Sequence, residues 1–274
     1  MSFNKELVNL DCKEGHSPFS LQFKEDYFIL FYMENISSLS ISEIVSKDYR
    51  TALVFRSFGI DFCCKGHETI SEASRRKKTD PQLILEKLIE VVTSPAEESF
   101  DFKNWPLSLL ANYIENKHHA MIRERVPLIR KFLKRAVNVH GSHEPNLKKI
   151  KASFQDSTDN LQKHLEQEEL IVFPFIRKIS SDPDRKNLLL GPSFQPISEL
   201  IYYLMVEHEE EEAIWEEIRK LTHNYSPPDY ACNTYKVAFA LLEEFDVSLQ
   251  KHMHLERNIL FPQAIALNLE KNLN

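Results

Sequence analysis

Two segments of this 274-residue chain repeat one another: His164, Glu168 and Pro174 stand at the same spacing as His252, Glu256 and Pro262. Positions i and i+4 lie on one face of an α-helix. Each copy is therefore read as a helix that turns one imidazole and one carboxylate toward a single point. The flanking residues agree. Leu161, Leu165, Val172, Phe175 and Ile179 make an apolar stripe that contains His164 and Glu168, and Ala238, Leu241, Phe245, Leu249 and Ile259 make one that contains His252 and Glu256.

Two further histidines fall on apolar stripes. His119 lies among Ile122, Val126, Ile129 and Leu133, and His208 among Leu204, Trp215 and Ile218. His119 precedes His164 by 45 residues and His208 precedes His252 by 44, so this part of the chain reads as two copies of one helical hairpin. Four long amphipathic stretches, roughly Leu107–Val137, Pro145–Ile179, Pro196–Leu221 and Pro227–Leu269, are separated by turn formers: Gly141-Ser142, Asp182-Pro183-Asp184, Gly191-Pro192 and Ser226-Pro227-Pro228. Short connections between such helices predict a four-helix bundle. With only five glycines in the chain, an all-α fold is expected.

Upstream, residues 38–95 read as a small helical domain. Ser40 and Glu43 form a capping-box pattern before the stripe Ile41, Ile44, Val45, Ala52 and Phe55, which Gly59 ends. A second helix is expected over about Glu68–Lys78 and a third from Asp80-Pro81 to Val92, followed by a linker over Ser94–Asn104 and the bundle over residues 105–274. Residues 1–37, aromatic-rich from Phe19 to Met33, are read as an extension that packs on something else.

A single histidine on an apolar helix face is more often a satisfied core residue, and a single His-x-x-x-Glu is usually a surface pair. Six inward residues with duplicated spacing are a different matter. An ionised glutamate in an apolar core is costly unless compensated, and a cation compensates it directly. His119, His164, Glu168, His208, His252 and Glu256 are therefore read as a two-metal site, with both carboxylates bridging and two imidazoles per metal. Imidazole and carboxylate donors suit iron or manganese, and zinc accepts them. Histidine outnumbers glutamate here, unlike the Glu-x-x-His pattern of ferritin-like bundles. His118, about 100° round the helix from His119 and on the face of Arg125, is set aside as a ligand. Glu207 is a candidate hydrogen-bond partner behind a ligand, Asn160 another group near the site, and the acidic run Glu207–Glu212 is otherwise a solvated face. His140 and His143 are read as surface residues, and Pro174 and Pro262 as marks of shared hairpin ancestry.

The vicinal Cys63 and Cys64 stand in a turn between helices, close to Lys65. Two readings are open: small, inert, buried thiols, or a redox or metal-transfer pair. Cys12 and Cys232 stand alone. Four scattered cysteines are too few for a disulfide framework, and the first eleven residues show no signal-peptide pattern, so a cytoplasmic location is expected. A net charge of -7 weighs against nucleic acid as the main partner, and no apolar run approaches the ~18 residues of a membrane span.

From about Leu39 to Ala266 the chain resembles the iron–sulfur cluster repair di-iron proteins. Gly59-Ile60-Asp61-Phe62-Cys63-Cys64 is similar to the signature of that family's short N-terminal domain. Glu168 to Pro174, Pro227 to Cys232 and Leu255 to Pro262 are similar to its haemerythrin-like bundle. The resemblance implies two non-haem iron ions, oxo- or hydroxo-bridged, held by the six residues above, with Glu168 and Glu256 as bridges. It also implies repair of clusters damaged by nitrosative or oxidative stress, damaged iron–sulfur proteins as partners, and a homodimer. Alternatives are haemerythrin-like binding or sensing of oxygen or nitric oxide, and reduction of nitric oxide. Two departures stand out: Lys65 precedes Gly66 where the family often has two glycines, and Asn160 stands where some members carry Glu.

Overall fold

The structure is a computed structural model that describes residue 36 and residues 38–62, 64–94, 101–181 and 197–270. The aromatic-rich extension, Cys12, Cys63, and the turns expected at Asp182-Pro183-Asp184 and Gly191-Pro192 lie outside the described residues. The small domain begins with α1 (Ile41–Lys47), whose N-terminus carries the reciprocal Ser40–Glu43 hydrogen bonds of a capping box. The single helix expected from here to Phe55 is two. Asp48 accepts hydrogen bonds from the backbone N–H and the guanidinium of Arg50, which turns the chain before α2 (Thr51–Ser57). Gly59, at φ 65°, then reverses the chain in a left-handed conformation. α3 (Ile70–Lys77) has a second capping box, Thr69 with Glu72, and α4 (Pro81–Thr93) is capped by Asp80 with proline in its first turn. The segment expected to be a plain linker contains a 3-10 turn, Phe102–Asn104, and buries Phe102 against Trp105 and Tyr113.

Four rods make the bundle. The first is α5 (Leu107–Tyr113), a π-helical turn Ile114–His119, and α6 (Ala120–His140). The second is α7 (Pro145–Gln167), a π turn Glu168–Val172, and α8 (Phe173–Ser181). The third is α9 (Ile197–Leu221), and the fourth is α10 (Asn233–Leu255), a π turn Glu256–Leu260, and α11 (Phe261–Glu270). The fourth rod starts at Asn233 rather than at Pro227. Each residue before a proline is disfavoured in helical conformation, and His223, Asn224 and Tyr225 all adopt positive φ, so the chain turns here. α6 packs on α7 and α10, and α7 on α9.

The prolines of the repeat explain two of the π turns. Pro174 and Pro262 are each the second residue after a π turn. A proline has no N–H to donate, and its ring excludes the carbonyl four residues back. Opening the ladder relieves that clash, and the N–H of Phe173 and of Phe261 instead reach five residues back, to the carbonyls of Glu168 and Glu256. Apolar burial is split in two. One cluster, including Leu165, Trp215 and Leu249, continues without a break into the small domain through Phe55, Phe62 and Leu88. The other, including Leu110, Phe173, Leu204 and Phe261, fills the opposite end. Among the described residues no helix is long and apolar enough to cross a membrane.

Candidate metal centre

Between the two apolar clusters lie six buried polar side chains: His119, His164, Glu168, His208, His252 and Glu256. They fall into two groups, each compact enough to hold one ion, and both carboxylates belong to both groups: His119 and His252 with Glu168 and Glu256, and His164 and His208 with the same pair. Each group draws one histidine from each hairpin, the crossed pairing that a pseudo-twofold arrangement produces. Glu168 Oε1 is 3.2 Å from His164 Nε2, while its Oε2 is 3.4 Å from His119 Nε2. Glu256 Oε1 is 2.8 Å from His252 Nε2, and its Oε2 is 3.3 Å from His208 Nε2. The two carboxylates thus span the two groups, one oxygen toward each.

The donor set fits cations on physical grounds. His119 Nδ1 donates to Glu169 Oε1 and His164 Nδ1 donates to Glu207 Oε2, both at 2.7 Å. In neutral imidazoles this fixes the tautomer and leaves Nε2 as a lone-pair donor pointing inward. Those nitrogens face others at short range: His119 Nε2 to His252 Nε2 at 3.2 Å, and His164 Nε2 to His208 Nε2 at 3.0 Å. Both oxygens of Glu168 and Oε2 of Glu256 are buried without a hydrogen-bond partner among the described residues. Lone pairs converging on carboxylates in a dry pocket are matched by a positive ion.

The electrostatics carry the same message. Burial opposes ionisation of Glu168, and so does Glu256, yet His164 and His119 outweigh both and hold its carboxyl at about 2. Burial likewise opposes ionisation of Glu256, and His252 and His119 bring it well below the usual range. Burial works against the His119 imidazolium, but Glu168 and Glu256 push it up to about 10, and His164 is raised for the same reason. The carboxylates demand positive charge, for which protons and metal ions compete at the same nitrogens.

Other residues stand differently from the sequence reading. Glu207 neighbours His208 in the chain but hydrogen-bonds His164. Glu169, which was overlooked, does the equivalent work at His119 and is itself held by Arg123 at 2.7 Å. The available signal was an acid adjacent to a ligand, present at both positions. Asn160, one turn before His164, is exposed. His118 is not at the surface. The π turn Ile114–His119 alters the helical phase, and the ring is buried against Tyr113 and parallel to His252 at 6.1 Å, outside both donor groups. The acidic run is also less solvated than expected, because Glu211 and Glu212 are buried. Trp215 Nε1 and Ser157 Oγ donate to Glu211, and Arg219 binds Glu212. Cys64 is buried, its N–H donating to Asp61 and its Sγ lying 3.5 Å from the carbonyl oxygen of His208. His254, two residues before Glu256, faces the small domain, its ring against Phe62 and Tyr49.

Comparisons with known proteins converge on this architecture. Residues 38–92 match the ScdA_N domain, described as a domain of unknown function, and residues 111–264 match the hemerythrin HHE cation binding domain. The iron-sulfur cluster repair protein YtfE of Musicola paradisiaca is 31% identical over 82% of this chain and 96% of its own length. The iron-sulfur cluster repair protein ScdA of Staphylococcus haemolyticus is 28% identical over 81% of this chain and 95% of its own. YtfE of Yersinia pestis is 29% identical over 79% and 91%. With the hemerythrin domain spanning more than half of its length, and a relative above 30% identity aligned along most of it, the chain belongs to the ScdA/YtfE iron–sulfur cluster repair family, an ScdA_N domain joined to a hemerythrin HHE cation binding domain.

Proposed function

We propose that this chain is a di-iron protein that repairs iron–sulfur clusters damaged by nitrosative or oxidative stress. One observation carries the metal part: two donor groups that share both of their carboxylates. The repair part is supported by the names of the relatives, iron-sulfur cluster repair proteins. In this reading His119 and His252 hold one iron, His164 and His208 the other, and Glu168 and Glu256 bridge them. Bound iron would supply releasable metal and an open position for a small ligand such as nitric oxide.

The protein's own groups set the terms. Glu169 and Glu207 hold two imidazoles with Nε2 inward, so those nitrogens need no reorganisation to receive metal. The two apolar clusters keep the carboxylates dry, which strengthens their hold on a cation. The small domain would present the cysteine segment to a damaged client, beside the helix that bears His208.

The decisive experiment measures iron in the purified protein and then its ability to restore a cluster enzyme inactivated by nitric oxide. Two irons per chain, one for each donor group, and restored enzyme activity are expected. Protein without bound metal would overturn the reading, and a reversible oxygen adduct with no restoration would replace it by a carrier function.

A further inference from the structure

The four histidines of the metal centre are not braced alike. His119 and His164, both of the first hairpin, each have a carboxylate on Nδ1, Glu169 and Glu207, at 2.7 Å. His208 and His252, both of the second hairpin, are buried with Nδ1 lacking a hydrogen-bond partner among the described residues. We propose that the ligand set is divided by hairpin: His208 and His252 are the ligands that yield when iron is handed on, and the small domain, seated beside both, governs that step. This rests on the di-iron reading and adds to it the order in which the ligands let go.

With Nε2 turned toward a cation, Nδ1 carries the imidazole proton. A carboxylate that accepts this proton makes Nε2 a stronger donor and holds the ring in place. An N–H buried without an acceptor has lost its water for nothing, and its ring is the weaker donor and the less firmly oriented one. Each donor group contains one ring of each kind, His119 with His252 and His164 with His208. The two weak rings stand on α9 and α10. A displacement of these two helices therefore loosens one imidazole in each group, while His119, His164 and Glu168 keep their hold.

The small domain touches the second hairpin beside each weak ring. The buried Cys64 thiol donates to the carbonyl oxygen of His208 across 3.5 Å. Arg56 donates to Gln250, two residues before His252, at 3.2 Å. Ser46 Oγ lies 3.4 Å from Nε2 of His254, two residues after His252. α1 also packs on the π turn that begins at Glu256. A client that draws the small domain away acts first on the ligands with no carboxylate behind them.

Chelator competition on the full-length, iron-loaded protein tests the division. His119→Ala and His164→Ala should lose about tenfold more iron affinity than His208→Ala and His252→Ala, the lower end of what such a brace is worth. Cys64→Ala should speed iron transfer to a fixed concentration of EDTA by about threefold, since a thiol is a weak donor. Its Mössbauer spectrum should change for the iron beside His208 alone, whereas general loosening would change both irons. His254→Phe keeps the ring packing on Phe62 and Tyr49 but drops the Ser46 contact. It should speed transfer likewise and alter the iron beside His252, which keeps the test open if Cys64→Ala does not fold. A parent protein without iron would defeat the metal reading itself. Two irons in the parent with equal losses across the four histidine variants would overturn this inference alone. So would transfer rates and spectra that match the parent in Cys64→Ala and His254→Phe.

Discussion

Glu169 Oε1 lies 2.7 Å from His119 Nδ1, while its chain neighbour Glu168 faces the Nε2 of the same ring at 3.4 Å. Two successive carboxylates thus serve the two nitrogens of one imidazole, one orienting it and the other sharing its cation. Arg123 holds Glu169 in place. Glu169→Gln keeps the shape but removes the charge that makes Nε2 a strong donor, and partners of this kind are worth about 10–100-fold in metal affinity. Iron affinity measured by competition with a chelator should fall by that order, with the fold retained by circular dichroism. An equal affinity would show that His119 needs no such support.

Removing a bridging carboxylate should do more. Glu168 and Glu256 each belong to both donor groups, so Glu168→Leu and Glu256→Leu should each cost both irons rather than one. The metal-free protein should lose stability as well. Glu168 and Glu256 hold the His119 and His164 imidazoliums, and taking away one side of a buried pair leaves the other charge uncompensated. Elemental analysis should therefore show iron lost, and the Tm of the metal-free variant should fall below that of the metal-free parent at neutral pH. Retained iron would refute the ligand assignment.

The six buried side chains were legible in the sequence because each signal was local. An i, i+4 pair on an apolar stripe needs no knowledge of the partner helix, and the repeat of 45 and 44 residues joined the halves. Setting His118 aside as a ligand agrees with its place outside both donor groups, but its burial was not legible, because no propensity rule places the π turn Ile114–His119 there. The break at Asp48 depends on one side chain capturing the Arg50 N–H. The junction of small domain and bundle had no signature at all. Arg56 meets Asp246 at 2.9 Å across most of the chain's length, and a cavity beside them exists only once the two parts are packed.

Proline at 262 links sequence to site geometry in a testable way. Its ring holds open the π turn that begins at Glu256. Pro262→Ala restores an N–H that can close the α-helical ladder, which would rotate Glu256 away from His208. Iron affinity should fall several-fold while thermal stability of the metal-free protein rises. A variant that gains stability without losing affinity would reduce the proline to a mark of ancestry.

Asp246 is the centre of the junction. It is fully buried and accepts from Arg219 at 2.8 and 3.0 Å, from Tyr225 Oη at 2.8 Å and from Arg56 of the small domain at 2.9 Å. Asp246→Ala leaves Arg56 with Gln250 and Arg219 with Glu212 as their remaining side-chain partners, and breaking a buried network from one side in this way costs about 3–5 kcal/mol. Urea unfolding should show that loss, with Arg56→Ala losing less because Arg219 keeps its partners. An effect below about 1 kcal/mol would place this network among the surface pairs that contribute little.

The dependence of stability on pH separates the metal-free from the loaded protein. In the metal-free chain Glu168 and Glu256 push His119 up to about 10 and raise His164 as well, against the opposing effect of burial. A histidine raised above its unfolded value of about 6.5 contributes stability that is fully present below that pH and is lost as pH rises through the folded value. The metal-free protein should therefore lose stability from pH 6.5 toward pH 10. Loaded protein has metal where those protons would sit, so its stability should be nearly flat across the same window. The difference in Tm between the two should thus widen as pH rises from 6.5 to 9.5, measured by calorimetry on iron-loaded and chelator-stripped samples. Below pH 6.5 protons compete for the same nitrogens, and iron should be released more readily to a fixed concentration of chelator. A Tm difference that stays constant over this window would mean that proton and metal do not share these sites.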